Sequence, residues 1–451
     1  MSIPLSEQVL QLPNLQAQRA FLREHVSQLD DQLAHTLKAH ADRLRHSHAQ
    51  GALDTAALLL YAAELSGDPR HRALGLLAEA NVRTLAGLGE YQRAVELYDE
   101  AAELYGARSL RVEQARTQIG RVFALAFLGR YAEAEEAGRW AAPVLEEHGE
   151  WHSLVGLTMN LAVAYGRQRE DAKALAQFDR ARELHGRLGP GAESFLAWVE
   201  HNRAIVLRNL GRFDASIQAG RASWEMLERL GQQAETAQAR EELAFTYLSL
   251  GRYNEALALL DQAQEIFASD GRHADVIRVE LIASCCLLEL GRYHEVLETC
   301  RRLQGTFAEQ GTRREVGEAM LNQAGAHLGL CHYDRALAVL ARARQLFVEE
   351  GNQVWVAAAD LERAGVLYQQ GRLPESLAAA QVCADAFRVC DLPVHEAEAN
   401  LVAARAAAGL GRHDEARRRM AGALAAGEAQ DLPALVYQCR HLLGNCAREQ
   451  G

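Results

Sequence analysis

Three asparagines recur at one position of a repeated pattern, and their amide groups can both donate and accept hydrogen bonds. Asn160, Asn202 and Asn322 each stand nine residues before a recurring turn position, and Glu242 and Glu362 occupy that position in two other repeats. An asparagine inside a helix is less favourable than an alanine by roughly 0.5 kcal/mol. The recurrence therefore requires a reason, and a hydrogen bond to a neighbouring repeat or plain solvent exposure are the two simple explanations.

Residue types that carry catalysis are present, but their spacing does not match a catalytic motif. The sequence contains no GxxxxGK phosphate loop, no GxGxxG after a strand and no HExxH zinc motif. His46 and His48 are two residues apart, which directs them to different sides of a helix. Cys331 and His332 adjoin at a turn, where no neighbouring sequence indicates an activated thiolate. We therefore predict a protein that is not an enzyme and holds no metal and no cofactor.

Recurring glycines mark the elements that carry these residues. The repeated phrase reads LGEYQRA from Leu88 and LGRYNEA from Leu250. Arg169 and Cys331 replace glycine at two of the turns, and a Gly-Pro-Gly insertion at residues 189–191 lengthens one unit by two residues. A period of about 20 to 50 residues is typical of stacked repeats. The glycines, about 40 residues apart in most cases, are Gly51, Gly89, Gly129, Gly211, Gly251, Gly291, Gly371 and Gly411.

One repeat predicts two helices joined by short turns. Residues 253–270 have apolar side chains at helical spacing on one wide face. Gly271 ends this helix as a left-handed cap, and a second helix returns to Gly291. Two helices of about 16 residues form an antiparallel hairpin, and successive hairpins stack into an all-α fold. Four aligned aromatic residues should fill the interfaces between hairpins: Phe267, Phe307, Phe347 and Phe387.

Composition limits the kinds of partner. With 48 basic and 60 acidic side chains the net charge is −12, so a general binder of nucleic-acid phosphates is not expected. Residues 1–13 show no signal segment, and no apolar run approaches the roughly 18 residues of a membrane helix. All eight cysteines lie at or beyond Cys285 without a CxxC pair, which fits a reducing compartment. We predict a cytoplasmic protein with neither a nucleic-acid nor a membrane partner.

The turn pattern resembles the tetratricopeptide repeat. Gly251 is followed by an aromatic residue at Tyr253 and a small residue at Ala256, and Ala244 precedes it by seven. The resemblance implies a right-handed superhelical solenoid of stacked antiparallel helix hairpins. About ten repeats would cover residues 33–431, with an N-terminal capping helix region in residues 1–32. Residues 432–451 would form either a C-terminal capping helix or the first helix of a further repeat. The repeat length of about 40 exceeds the common 34 and resembles the long-helix members in bacterial regulators and kinesin light chains.

The same resemblance implies where a partner would bind. In tetratricopeptide proteins the first helix of each hairpin lines a concave groove, and an asparagine at the recurring position binds the backbone of an extended peptide. Apolar residues three positions further on would form a stripe beside the amides, although packing against a neighbouring helix also explains them. A lysine-rich carboxylate clamp is not expected, because lysine is almost absent. The expected partner is a protein or peptide, and the groove residues are Asn160, Asn202, Asn322, Phe123, Val163, Ile205, Phe245, Glu242 and His201.

A second resemblance concerns residues 119–134, 202–213 and 250–267. These phrases are similar to the N-terminal repeats of bacterial proteins that end in a CHAT domain, a caspase-like cysteine protease, and nothing in the chain matches the protease itself. The leading hypothesis is a non-enzymatic scaffold or sensor for a partner protein. Two alternatives stay open, namely the regulatory region of a larger CHAT protease and a receptor for a peptide or small ligand in a bacterial regulatory system.

Overall fold

The computed structural model describes residues 4–45, 48–85, 88–189, 191–310, 313–390, 392–429 and 433–449. Helices are the regular elements of these residues, which contain no strand. The chain divides into two compact units, Met1–Gly231 and Gln232–Gly451. Within each unit, consecutive helices pack as antiparallel hairpins that stack on one another. The predicted all-α fold of stacked hairpins is confirmed.

The N-terminal unit contains twelve α-helices and a short 3-10 helix at Val26–Gln28 among its described residues. The α-helices are Leu5–Leu10 (α1), Leu15–Glu24 (α2), Asp31–Leu44 (α3), Ala49–Ser66 (α4), Pro69–Leu85 (α5), Tyr91–Gly106 (α6), Arg111–Phe127 (α7), Tyr131–Glu147 (α8), Trp151–Arg167 (α9), Asp171–His185 (α10), Glu193–Asn209 (α11) and Phe213–Arg229 (α12).

The C-terminal unit contains eleven helices among its described residues, most of them 17 residues long. They are Gln233–Ser249 (α13), Tyr253–Ser269 (α14), His273–Glu289 (α15), Tyr293–Gln310 (α16), Arg313–Gly329 (α17), Tyr333–Glu349 (α18), Gln353–Gln369 (α19), Leu373–Val389 (α20), Pro393–Gly409 (α21), His413–Ala429 (α22) and Pro433–Glu449 (α23). The boundaries predicted for the two capping regions stay predictions.

The turns within hairpins explain the recurring glycine. Gly251 and Gly291 have φ angles of 71° and 72°, in the left-handed region that glycine adopts without steric cost. Arg169 and Cys331, which replace glycine in the sequence, take the same conformation with φ angles of 64° and 57°. The assignment of Gly51 to this series is wrong, because Gly51 lies inside α4 and not at a turn. The regular series therefore starts at Gly89.

The repeated Leu-Gly-Arg-Tyr phrase also places an ion pair at the start of the second helix. In the phrase that begins at Leu250, Arg252 stands at the N-cap and its guanidinium binds Glu255 in the first turn. Arg292 pairs in the same way with Glu295, at 2.6 Å. Such exposed pairs at i,i+3 spacing are screened by water and stabilise a helix only weakly. The Arg and Glu of the motif therefore reinforce each turn locally and to a small extent.

Small residues at two predicted positions let the two helices of a hairpin approach closely. Ser216, five residues after a turn glycine, donates a hydrogen bond of 2.8 Å to the carbonyl of Ala204, seven residues before it. Ser376 makes the same bond to Ala364 in the second unit. The four aligned phenylalanines are buried as predicted, with at most 5% of any of them exposed.

Cysteine reactivity provides a check on the burial pattern. Burial raises the pKa of Cys286 to about 11 and that of Cys300 and Cys383 to about 12. Cys331 and Cys390 are exposed. Because the thiolate is the nucleophile, iodoacetamide at pH 8 should label Cys331 and Cys390 first and the three buried thiols after denaturation. Peptide mass mapping measures the order, and rapid native labelling of Cys300 would contradict this packing.

No helix in the described part of the chain has both the length and the apolar character needed to cross a membrane.

Candidate functional site

A cavity of about 610 Å³ opens among the first helices of four successive hairpins in the N-terminal unit. These helices are α3, α5, α7 and α9, and each contacts the next in the series. Since helices alternate in direction along the stack, the four run parallel to one another. The lining comprises Asp31, His35, Lys38, Arg45, Arg70, His71, Leu74, Leu77, Asn81, Tyr105, Leu110, Glu113, Arg116, Ile119, Gly120, Phe123, Ser153 and Asn160.

Most of the lining falls into three parts along the helices. The N-terminal edge, where α3, α5, α7 and α9 begin, carries both signs of charge. The C-terminal edge consists of Lys38, Arg45 and Asn81. Arg45 and Asn81 lie towards the ends of α3 and α5, and Lys38, in the middle of α3, extends its amine to Asp42 near the end of that helix. Between the edges lies an apolar wall, which consists of Leu74, Leu77, Ile119 and Phe123. The N-terminal edge consists of Asp31, His35, Arg70, His71, Glu113, Arg116 and Ser153.

A buried tyrosine and a glycine shape the floor of the cavity. Tyr98 of α6 has no exposed surface, and its hydroxyl donates a hydrogen bond of 2.9 Å to Asn81 Oδ1 and lies 3.4 Å from Thr84. Burial raises the pKa of this phenol, so it stays protonated. Gly120 of α7 faces the Tyr98 ring, and a Cβ atom at residue 120 would collide with it. The close approach of α6 and α7 at this level therefore requires glycine.

The C-terminal edge is joined to this floor by a shared carboxylate. Asp42 of α3 accepts from Lys38 Nζ at 2.5 Å and lies 3.5 Å from both Arg45 Nη1 and Asn81 Nδ2. The side chains of Lys38, Asp42 and Arg45 are only 22–29% exposed. Charges that are partly withdrawn from water interact more strongly than charges on an open surface. The network holds Lys38 and Arg45 at the cavity.

The N-terminal edge is an ion cluster. His71 Nε2 lies 2.7 Å from Asp31 Oδ1, and the Arg70 guanidinium lies 3.1 Å from Asp31 and 2.7 Å from Asp68. The hydrogen bond with His71 lowers the pKa of Asp31, and the bond from Arg70 lowers that of Asp68 to about 2. Ligand atoms of Asp31, Asp68 and His71 lie within 4.8 Å of one another, as in a metal site. Arg70 already occupies both carboxylates and opposes a bound cation.

Two of the predicted groove residues line the cavity. Phe123 belongs to the apolar wall and stacks on Phe127 with ring centroids 4.7 Å apart. Asn160 of α9 is half-buried and donates a hydrogen bond of 2.8 Å to the carbonyl of Ile119, 41 residues earlier. The amide of Asn160 thus links α9 to α7, which agrees with the explanation that these asparagines bond to a neighbouring repeat. Val163, one turn further along α9, is half-buried and does not belong to the lining.

The predicted residues of α11 make local contacts. Asn202 donates to the carbonyl of Trp198 at 2.8 Å, within its own helix. The His201 ring meets the Trp198 ring edge-on at 5.1 Å, and burial lowers the pKa of His201 to about 4. His201 is therefore neutral near pH 7, and a contact that titrates there is not expected. Ile205 is half-buried on the same helix.

Three of the predicted residues, Asn322, Glu242 and Phe245, belong to the C-terminal unit. Asn322 of α17 donates to Ser284 Oγ of α15 at 2.8 Å and lies 3.3 Å from Cys285 Sγ. This bond again links the first helices of successive hairpins. Glu242 and Phe245 of α13 are half-buried. The structure therefore does not bring the nine predicted residues together at the cavity.

Sequence reasoning missed the charged and polar lining of α3 and α5. Asp31 and His71 are 40 residues apart, and Asp42 and Asn81 are 39 apart. Each offset is close to one repeat, so the period itself indicates that these pairs lie on neighbouring helices. Lys38 is also one of only two lysines in the chain. The repeat-length offsets and the rarity of lysine can both be read from the sequence alone.

A family model matches part of the chain. The tetratricopeptide repeat family model matches residues 195–269 and 235–303, so this part of the chain contains tetratricopeptide repeats. Among curated proteins no sequence is significantly similar to it.

Solved structures share the fold at low sequence identity. A signal transduction ATPase with numerous domains and a tetratricopeptide repeat sensor, from Pyrococcus horikoshii, has a TM-score of 0.56 at 11% identity, over 79% of this chain and 55% of that chain. The apo form of RapI has a TM-score of 0.53 at 11% identity, over 75% of this chain and 98% of that chain. The apo quorum sensor NprR from B. thuringiensis has a TM-score of 0.53 at 12% identity, over 76% of this chain and 97% of that chain.

Proposed function

We propose that this chain is a non-enzymatic scaffold or sensor that binds a peptide or a helix of a partner protein on the face formed by the first helix of each hairpin in its N-terminal unit. The cavity among α3, α5, α7 and α9 carries the proposal, because its volume of about 610 Å³ falls within the roughly 300–1,000 Å³ typical of ligand sites. Its apolar wall between two polar edges suits a segment of mixed character. NprR and the archaeal repeat domain, which are similar in fold, are named sensors.

The chemistry beside the cavity favours binding over catalysis. Ser66, His71 and Asp31 form a hydrogen-bonded chain, with Ser66 Oγ 3.4 Å from His71 Nδ1. However, the Ser66 hydroxyl donates to the carbonyl of Ala63 at 3.3 Å and does not belong to the cavity lining. Neighbouring backbone amides are also engaged, since the Gly67 amide bonds to Ala63. The Ser66 proton is therefore directed to a backbone carbonyl and the Gly67 amide is not free to act as an oxyanion donor, which does not match the arrangement that acyl transfer requires.

Partner capture with one altered wall residue tests the function. Phe123→Ala removes a large apolar contact from the cavity and should reduce partner recovery from a lysate of the native host by about tenfold. Trp140→Ala is the matched control, since Trp140 is an exposed aromatic residue on α8, the second helix of its hairpin. Recovery that is equal for the wild type and Phe123→Ala, measured by quantitative mass spectrometry, would remove the cavity as the binding site.

The relation to CHAT proteases stays a prediction. The mass of the native polypeptide in its own cells tests it, since a mass well above the 49.6 kDa of this chain would support a larger multidomain protein.

A further inference from the structure

The helix α23 of the C-terminal unit has one buried and one exposed face. Leu435 and Cys439 are buried in a cluster with residues of α21 and α22. On the opposite side of the helix, exposed residues recur at i, i+3, i+4 and i+7, which places them on a single face. Tyr437, the first of them, is 70% exposed. This exposed stripe consists of Tyr437, Arg440, His441 and Gly444.

The same face is covered in the preceding hairpins. Since the repeat is 40 residues long, the residues equivalent to Tyr437 and Gly444 can be read from the numbering. The equivalent residues of α19 and α21 are all buried, and at most 5% of any of them is exposed. They are Ala357 and Ala397 for Tyr437, and Ala364 and Ala404 for Gly444.

In those hairpins the second helix provides the cover. Gly317, which is equivalent to Tyr437 in α17, lies against the Phe347 ring of α18. Ser376 of α20 donates a hydrogen bond of 2.8 Å to the carbonyl of Ala364, which is equivalent to Gly444. Within the described part of the chain no helix covers the exposed stripe of α23 in this way. The stripe therefore continues an interface that elsewhere joins two antiparallel helices.

The exposed stripe is complementary to itself. If two copies of α23 pair in antiparallel orientation about an axis between residues 440 and 441, Tyr437 of each copy lies opposite Gly444 of the other. A Cβ atom added at Gly444 would meet no atom within 4 Å, so the helix surface there is open to a ring. The chain already packs an aromatic ring against a helical glycine at three places: Tyr98 on Gly120, Phe347 on Gly317 and Tyr293 on Gly329.

The charges near this axis permit the pairing. Arg440 of one copy would lie beside Arg440 and His441 of the other. The Arg440 guanidinium is already bound by Glu428 of α22 in its own chain, at 2.8 Å. This carboxylate offsets the arginine charge, so the two copies do not bring bare cations together.

We propose that this chain forms a symmetric dimer in which the exposed stripe of α23 packs antiparallel against the same stripe of a second copy. A two-fold axis uses one self-complementary patch twice, and a second copy supplies both the ring and the glycine that receives it. A single pair of helices buries less than about 1,200 Å², the range of weak and transient complexes, so a micromolar dissociation constant is expected.

Sedimentation equilibrium of the full chain tests the dimer at concentrations up to about 100 µM. The mass should approach twice the 49.6 kDa of the chain. Tyr437→Asp should weaken the association at least about tenfold, because a carboxylate replaces the central aromatic contact. Val389→Asp is the matched control, since Val389 is 88% exposed on α20, and it should leave the dissociation constant within about twofold.

Exchanging the two residues tests the antiparallel register. Tyr437→Gly alone leaves no ring in the interface, and Gly444→Tyr alone places two rings opposite each other, so both should weaken the dimer about tenfold. The double variant again places one tyrosine opposite one glycine and should recover most of the affinity. Because the double variant keeps the helix-weakening glycine at residue 437, its recovery would not reflect a change in helix stability.

Three results would overturn this inference. The first is a mass of 49.6 kDa at every concentration, and the second is a dimer that Tyr437→Asp leaves intact, because its contact would lie on another surface. The third is a double variant as weak as the two single variants. None of these results bears on partner binding at the cavity, whose lining belongs to the N-terminal unit.

Discussion

Replacing Phe347 with alanine is expected to destabilise the C-terminal unit by about 3–5 kcal/mol. The Phe347 ring has no exposed surface and stacks on Trp355 of α19 with centroids 5.5 Å apart. Gly317 of α17 also lies against the ring, where an added Cβ would collide with it. Phe347 therefore joins three consecutive helices, and its loss leaves a cavity at the interface between hairpins.

The adjacent residue provides the control for this substitution. Val348 belongs to the same helix but is 49% exposed, so Val348→Ala should change the free energy of unfolding by no more than about 0.5 kcal/mol. Stability in a repeat array is a sum of local interfaces. Hydrogen exchange of the α17–α19 amides should therefore accompany urea denaturation as a readout. A loss below about 1 kcal/mol for Phe347→Ala would show that the interface does not depend on this ring.

Gly120→Ala should have the second largest effect, a destabilisation of about 1–3 kcal/mol together with a distorted cavity floor. In most helices this substitution is favourable by about 1 kcal/mol. Here the new methyl group would meet the Tyr98 side chain, which is held by Asn81 and Thr84. Either α7 moves away from α6 or the Tyr98 hydrogen bonds break, and both displace the groups that line the cavity.

Gly166→Ala serves as the comparison, since Gly166 is also helical but has no atom within 4 Å of an added Cβ. That variant should be as stable as the wild type or more stable, by about 0.4–1 kcal/mol. Thermal melts followed by circular dichroism measure both substitutions. Equal melting temperatures for the two variants would mean that Tyr98 can move without cost.

The repeat could be predicted from the sequence because its signals are local. A left-handed turn favours glycine by simple steric exclusion, and the turn at Gly251 recurs at Gly291 with almost the same φ angle. The same reasoning failed at Gly51, because a glycine is also tolerated inside the first turns of a helix. The presence of glycine alone does not distinguish a turn from the interior of a helix. The complete phrase, with an aromatic residue two positions after the glycine, does.

The candidate site was only partly predictable because it depends on contacts between repeats. Asn160 and Phe123 were selected from their register within the first helices of two hairpins, and the structure brings both to the cavity. The N-terminal repeats follow the pattern loosely, so the register of the pattern did not select Lys38 and Asn81. They lie together because α3 and α5 pack side by side. The asparagine amides were predicted to bind a partner, yet Asn160 and Asn322 donate hydrogen bonds to the first helix of the preceding hairpin. Binding by the predicted groove residues stays a prediction.

The extra residues before α11 have a consequence for how such a chain can lengthen. The Gly-Pro-Gly insertion follows the end of α10 and precedes α11, whose 17 residues keep the usual length. This length change is thus absorbed at the end of α10, which has 15 residues, and in the segment between the two hairpins, so α11 keeps its register. Forty residues correspond to 120 nucleotides, since three encode each residue. An in-frame duplication of that size would therefore insert one more hairpin whose two faces already match its neighbours, and the gene could grow by copying without redesign of the core.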